Sequence, residues 1–302
     1  MKNPVSAAVR RPSPEALSRA AALRFMAHQA AEGMLAGHHY SLFHGSSVEF
    51  AEHKEYAPGD DVRRLDWRVL GKSDRYYIKK FDQEKQLSAL LVMDTSASMD
   101  YGSQGLSKMD AASSLALCFA FLLLRQSDQV GLALLSEKQD DWIPPSSQNT
   151  LFDRMVELLG ALRCGGALSL ADKRTILNDR LEKSRVVLLF SDCFFETLEP
   201  LESLLKSLRI ARKEVLLFQV LDPAELAFPF TLRTRFLDME SAREITAEPI
   251  QVRKNYLNAL QAHNTRIREL CLQNGAEYAL YDTAQPLPRF LMEFLKTRGR
   301  PA

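Results

Sequence analysis

Leu90-Leu91-Val92-Met93-Asp94-Thr95-Ser96-Ala97-Ser98-Met99 decides how this chain reads. Its apolar start is too short for a helix and suits a strand buried on both faces. One carboxylate and two hydroxyls then follow at alternate positions, just past that strand's C-terminal end. Open α/β sheets bind their ligands at this edge. Mg2+ takes hard oxygen donors and keeps several waters, so Asp94 can hold it directly or through water while Ser96 and Ser98 supply neutral oxygens. A cation with few anionic ligands stays open to a carboxylate brought by a partner. The same residues can instead cap the helix that follows, through an Asx or Ser turn.

The pattern returns at Val186 to Phe190, which runs into Ser191 and Asp192 and makes Asp192 the matching second acid. Around these two strand ends, apolar runs of strand length alternate with amphipathic stretches of helix length. Residues 87–94, 130–136, 185–191, 214–221 and 276–281 read as buried strands. Residues 108–126, 150–163, 168–182, 199–213, 253–274 and 288–297 read as helices, several opened by Ser, Asn or Asp. The alternation predicts an α/β fold: a doubly wound, mostly parallel sheet with right-handed crossovers and helices on both faces. Residues 228–252 interrupt it, with Phe230, Leu232, Phe236 and Leu237 strand-like and a polar stretch ending at Pro249, so an inserted ribbon or loop is expected there. Further upstream, residues 15–37 predict a helix closed by Gly37. Residues 38–81 are shorter and mixed, with a Pro58-Gly59 turn and a strand-like Tyr76-Tyr77-Ile78 run. The expected organisation is a flexible tail over 1–14, an N-terminal α+β appendage over 15–85 and the α/β domain over 86–302.

Composition narrows the function classes. The chain has 302 residues, 46% hydrophobic and 25% charged, as in ordinary globular proteins. Thirty-nine basic against thirty-eight acidic residues leave a net charge of +1, so the chain lacks the strong positive field of nucleic-acid binders and no nucleic acid is expected as a partner. Its longest apolar run, bounded by Ser114 and Arg125, falls well short of the roughly 20 residues that span a bilayer, so no transmembrane segment is expected. Met1 to Pro14 carries Arg10 and Arg11 without the apolar stretch of a signal peptide. Cys118, Cys164, Cys193 and Cys271 form no C-x-x-C pair, and a reducing cytoplasm is the expected setting. No G-x-S-x-G elbow, P-loop or H-E-x-x-H helix is present, and His38, His39, His44 and His53 are assigned no chemistry.

The D-T-S-A-S run with its downstream strand-end Asp192 resembles the metal-ion-dependent adhesion site of von Willebrand factor A domains. A second resemblance is longer. Phe50-Ala51-Glu52, with the run from Glu55 to Arg68 that includes Gly59-Asp60-Asp61-Val62-Arg63-Arg64-Leu65-Asp66-Trp67-Arg68, is similar to the signature of the bacterial domain of unknown function 58. The likeness continues through Ile78-Lys79-Lys80-Phe81, Lys108-Met109-Asp110, Asp128 to Leu132, Arg233 to Glu240 and Tyr281-Asp282-Thr283. The resemblance implies a von Willebrand factor A-like domain whose Asp94, Ser96, Ser98 and Asp192 hold Mg2+ or Mn2+. It also implies an adaptor or cochaperone role with a MoxR-type AAA+ ATPase, and with other von Willebrand factor A proteins. In one respect the chain departs from the pattern: where the family's adhesion loop has Gly-Gly-Thr, this one reads Gly165-Gly166-Ala167, which removes a hydroxyl ligand and predicts a weakened metal site, with water or Ser169 filling the position.

Arg63, Arg64, Asp66, Trp67 and Arg68 have two readings. They can form a salt-bridged turn that docks the appendage, or a partner-docking patch, since Arg and Trp often anchor interfaces. The interleaved aspartates oppose a polyanion there. For the chain as a whole the expected activity is non-enzymatic protein recognition. The alternatives are a Mg2+-dependent phosphohydrolase with Asp94 as nucleophile and a structural assembly component with a vestigial metal site. Ser96 argues against the phosphohydrolase, because a hydroxyl stands where such an enzyme needs a second carboxyl as general acid.

Overall fold

The structure, a computed structural model, describes residues 13–37, 50–55, 76–81, 86–137, 140–241 and 243–298. The chain divides into two units, one of residues 1–39 with 88–302 and one of residues 40–87. In the smaller unit, β1 (Phe50–Glu55) pairs antiparallel with β2 (Tyr77–Phe81), with a shift of register between Phe50 and Glu52.

The larger unit is built on a six-stranded sheet. Its strands are β3 (Ser88–Asp94), β4 (Gln129–Leu135), β5 (Asp141–Ser146), β6 (Val186–Ser191), β7 (Glu214–Leu221) and β10 (Glu277–Asp282), in the order β10-β7-β6-β3-β4-β5. All neighbours are parallel except β5, which runs antiparallel to β4 along one edge. The sequence reading did not find β5, because Pro144 and Pro145 break a strand pattern. An edge is where a strand tolerates residues that cannot donate to the ladder.

Every residue of β3 and β6 is buried, as expected of strands covered on both faces. On one face Leu90, Val92, Val187, Leu189, Val215 and Leu217 pack under α4 (Leu170–Leu181), α5 (Glu199–Ile210) and α7 (Pro249–Gln273), through residues such as Leu177, Leu204 and Ile267. Toward the opposite face, Phe218 of β7 stacks on Phe190 at 5.2 Å. It also meets Phe119 of α2 (Lys108–Arg125) and Phe294 of α8 (Leu287–Arg298), each at 5.2 Å. Helices on both faces of a mostly parallel sheet make this the doubly wound α/β fold that the sequence predicts.

The first helix, α1 (Pro14–Gly37), corrects the expected organisation. It was grouped with the appendage over 15–85, but it belongs to the α/β unit and lies against α2, α3 (Thr150–Ala161) and α8. Its buried residues are Ala16, Leu23, Ala27, Ala30 and Ala31, and Arg19 Nε donates to Asp110 of α2 at 2.5 Å. Small side chains bring the axes close. A Cβ on Gly160 of α3 would lie 2.6 Å from Cβ of Ala20.

Between α6 (Pro223–Ala227) and α7, a separate two-stranded sheet of β8 (Thr234–Leu237) and β9 (Glu244–Ala247) forms a ribbon where one was expected. Among the described residues no helix is long and apolar enough to cross a membrane.

Candidate functional site

The sheet order places a crevice beside β3. From β3 the chain crosses through α2 to β4 on one side, while β6 pairs with β3 on the other, so the strand order reverses between β3 and β6. Ligand crevices of open α/β sheets form at such a reversal, outside the carboxyl ends of the strands. Asp94 is the last residue of β3, and Asp192 directly follows β6. Both acids, with Ser96, line one cavity of about 260 Å3. That volume lies just below the range of small-molecule sites, too small for a large substrate.

The local bonds separate the two readings of the D-T-S-A-S run. Ser96 N donates to Asp94 Oδ1 at 2.9 Å, which is the Asx turn. Ser96 and Ser98, however, do not cap the long helix: its N-cap is Ser107, whose hydroxyl accepts from Asp110 N at 3.1 Å. Ser96 stands ahead of the 3-10 turn Ala97–Asp100 and makes no side-chain capping bond to it. Instead Ser96 Oγ and Ser98 Oγ face each other at 3.1 Å. Two cis ligands of an octahedral ion with bonds of about 2.1 Å lie about 3 Å apart, so the hydroxyl pair has the spacing of one coordination edge.

Charge in the cavity is unevenly met. Lys108 Nζ, fully buried, lies 2.7 Å from Asp192 Oδ2 and 2.6 Å from Glu225 Oε1. Burial alone would push this ammonium's pKa down, but the Asp192 and Glu225 charges and hydrogen bonds outweigh it and hold the pKa above the usual lysine range. The Glu225 carboxyl is itself raised, because its burial outweighs the attraction of Lys108. Asp94 has no such partner among the described residues. Its Oδ2 accepts from Ser191 Oγ at 2.6 Å, and among the described residues no basic side chain pairs with it. Burial, and after it the neighbouring charge of Asp192, raise the Asp94 pKa to about 6. A buried carboxylate beside another, with its donors in place and its charge unmet, fits a cation.

The surrounding loops are tied down. Cys193 adopts a left-handed φ of 60°, a strained conformation for a side chain of this kind. Its amide donates to Ser191 Oγ at 2.9 Å, and its carbonyl lies 2.9 Å from His263 Nε2. Gln219 Nε2 donates to the carbonyl of Asp192 at 3.0 Å. Across the cleft, Ala97 N donates to Gly166 O at 2.9 Å and Gly165 N to Thr95 O at 3.0 Å. Gly166 has φ of 68°, and a Cβ there would strike the Glu137 side chain. Ala167 lines the same cavity and offers only a methyl, while the Ser169 hydroxyl accepts from Asp172 N at 3.4 Å at the start of α4.

Several site residues escaped the sequence reading. Lys108 falls in the Lys108-Met109-Asp110 run of the family resemblance, which implies no role for it. Asp222 and Glu225 form a capping box, whose D-x-x-E spacing at the end of β7 is a visible signal. Asp222 also accepts from Ser103 N at 2.8 Å and Ser103 Oγ at 2.6 Å, fixing the loop ahead of α2. Glu240, on the ribbon, accepts from Ser98 Oγ at 3.2 Å; it ends the resembling run Arg233 to Glu240, which implies no role for it. Arg63, Arg64, Asp66, Trp67 and Arg68 lie outside the described residues.

A family model described as "Protein of unknown function DUF58" matches residues 52–266. The chain belongs to the DUF58 family. Uncharacterized proteins of Mycobacterium bovis (Mb1516) and Mycobacterium tuberculosis (Rv1480) are each 27% identical to it over 294 residues, covering 94% of this chain and 90% of theirs. Among solved structures it is similar to BatB from Bacteroides thetaiotaomicron, at 14% identity and a TM-score of 0.45, over 70% of this chain and 99% of that one. It is also similar to the SpRpn10 VWA domain, at 11% identity and a TM-score of 0.43, over 72% and 100%. The DUF58 match takes in Asp94, Ser96, Ser98, Lys108, Asp192, Glu225 and Glu240, so the whole cleft lies inside the family's own extent. This DUF58 chain has a doubly wound, mostly parallel sheet with one antiparallel edge strand.

Proposed function

We propose that this DUF58 protein is a non-enzymatic protein-recognition module. Asp94, Ser96, Ser98 and Asp192 hold Mg2+ or Mn2+ at the crevice between β3 and β6, and the ion receives an acidic side chain from a partner. The observation that carries this reading is Asp94: fully enclosed, supplied with donors by Ser96 and Ser191, and without a cationic partner among the described residues. A bound divalent ion supplies the missing positive charge and an open coordination position. With Ala167 in place of a hydroxyl residue the site has one oxygen fewer, so its affinity is modest.

The partner proposed from family resemblance is a MoxR-type AAA+ ATPase, for which the chain acts as adaptor or cochaperone, alone or with other von Willebrand factor A proteins. All four cysteines are unpaired thiols, three of them buried, which suits work in a reducing cytoplasm. Phosphoryl transfer to Asp94 is disfavoured, because residue 96 is a hydroxyl where such an enzyme needs a second carboxyl as general acid.

The test is calorimetric titration of Mg2+ and of Mn2+ into the purified protein and its Asp94→Ala variant. The expected result is one ion bound per chain, with heat lost in the variant. No heat from either ion with the wild-type protein would leave the site vestigial and sink the reading.

A further inference from the structure

We propose that the β8–β9 ribbon is a built-in occupant of the adhesion cleft, with the Glu240 carboxylate standing where a partner's acidic side chain would enter. The inference rests on the metal-site reading above and concerns the regulation of that same site.

Two observations carry it. The ribbon's turn is shaped to present Glu240: Asp238 N donates to Arg243 O at 2.8 Å and closes the hairpin, while Asp238 Oδ1 accepts from Glu240 N at 3.0 Å and Oδ2 from Ser241 Oγ. Asp238, Met239 and Ser241 are exposed, whereas Glu240 is half-buried, turned in to the Ser98 hydroxyl at 3.2 Å and lining the cavity of Asp94, Ser96 and Asp192. Of the carboxylates lining that cavity, Glu240 is the one carried by the ribbon.

The ribbon can leave without disturbing the sheet. It is a sheet of its own, held at its base by the cluster of Phe228, Phe230, Phe236 and Tyr256, with ring centroids 4.6 to 5.5 Å apart. Swinging about that base would expose the hydroxyl pair. Partner binding therefore competes with Glu240, and the free protein holds the site closed.

The experiment combines Mn2+ titration with hydrogen exchange on the full chain and its Glu240→Ala variant. The variant is expected to bind Mn2+ about tenfold more weakly, a loss of the size seen when a supporting carboxylate is removed. Added acetate should restore its affinity while leaving the wild-type protein unchanged, because only the variant has the position vacant. In metal-free buffer, amides of residues 234–247 should exchange faster in the variant. If Mn2+ binds both proteins equally, or acetate acts on both alike, the proposal is overturned and the metal-site reading stands. If neither protein binds Mn2+, that reading fails, and equal ribbon exchange rates in the two proteins then overturn the latch as well.

Discussion

Asp94 concentrates the conflict between stability and function in one side chain. Its pKa of about 6 in the folded protein, against 3.8 for the ordinary residue, means that folding favours the protonated acid. The contribution to stability is complete below about pH 4 and is lost as the pH rises through about 6, where the buried carboxylate becomes charged. At pH 7 the loss amounts to roughly 3 kcal/mol for a shift of this size. Asp94→Asn keeps the shape and removes the charge. In chelator at pH 7.5 it is expected to be more stable than the wild-type protein by about 1–3 kcal/mol. The difference should vanish near pH 4, and urea unfolding across that range measures it. A wild-type protein equal to the variant at every pH would mean that the charge is already met without an ion. Asp94 and Asp192 could be found in the sequence because each stands at the C-terminal end of its own apolar run. Glu240 could not, since 142 residues separate it from Ser98 and nothing local marks the pair.

Among the elements, α2 shows how a helix can serve the site at its own expense. Ser107 caps it well, yet the first helical residue is a lysine, at the end where the helix dipole disfavours positive charge. Lys108 is tolerated because Asp192 and Glu225 enclose its ammonium, and in return it holds together the ends of β6 and α6. Lys108→Met is therefore expected to cost about 3–5 kcal/mol, the penalty for stranding two buried carboxylates. Chemical unfolding at pH 7.5 would read it, and a loss under about 1 kcal/mol would show water reaching the acids instead. The elements themselves were largely legible, because strands buried on both faces are continuous apolar runs and α2 and α4 open on the side-chain caps Ser107 and Ser169. Among those that escaped, two did so for plain physical reasons. The β5 edge contains consecutive prolines, and α6 is only five residues long, set by the Asp222 capping box rather than by any apolar period.

At the scale of the molecule, the first helix adjoins the appendage in sequence but packs within the α/β unit in space. Its alanine face looks like propensity alone until Gly160 is set against it, and the pair then explains both compositions: α1 and α3 approach too closely for a side chain on each. Arg19 fastens the contact, donating to Asp110 and, at 2.6 Å, to the carbonyl of Leu162. The sign of one substitution tests the arrangement. In an undocked α3, Gly160→Ala would stabilise by about 1 kcal/mol through helix propensity alone. With α1 in place, the added methyl meets Cβ of Ala20 at 2.6 Å and its Cα at 2.9 Å. Overpacking of that kind costs about 1–3 kcal/mol, so the expected outcome is a net loss of stability with faster amide exchange along α1. Ala20→Gly in the same chain should make room for the methyl and recover part of the loss, which a double-mutant cycle separates from independent effects. A stabilised Gly160→Ala protein, with unchanged exchange in α1, would detach the helix from the α/β unit and return it to the appendage.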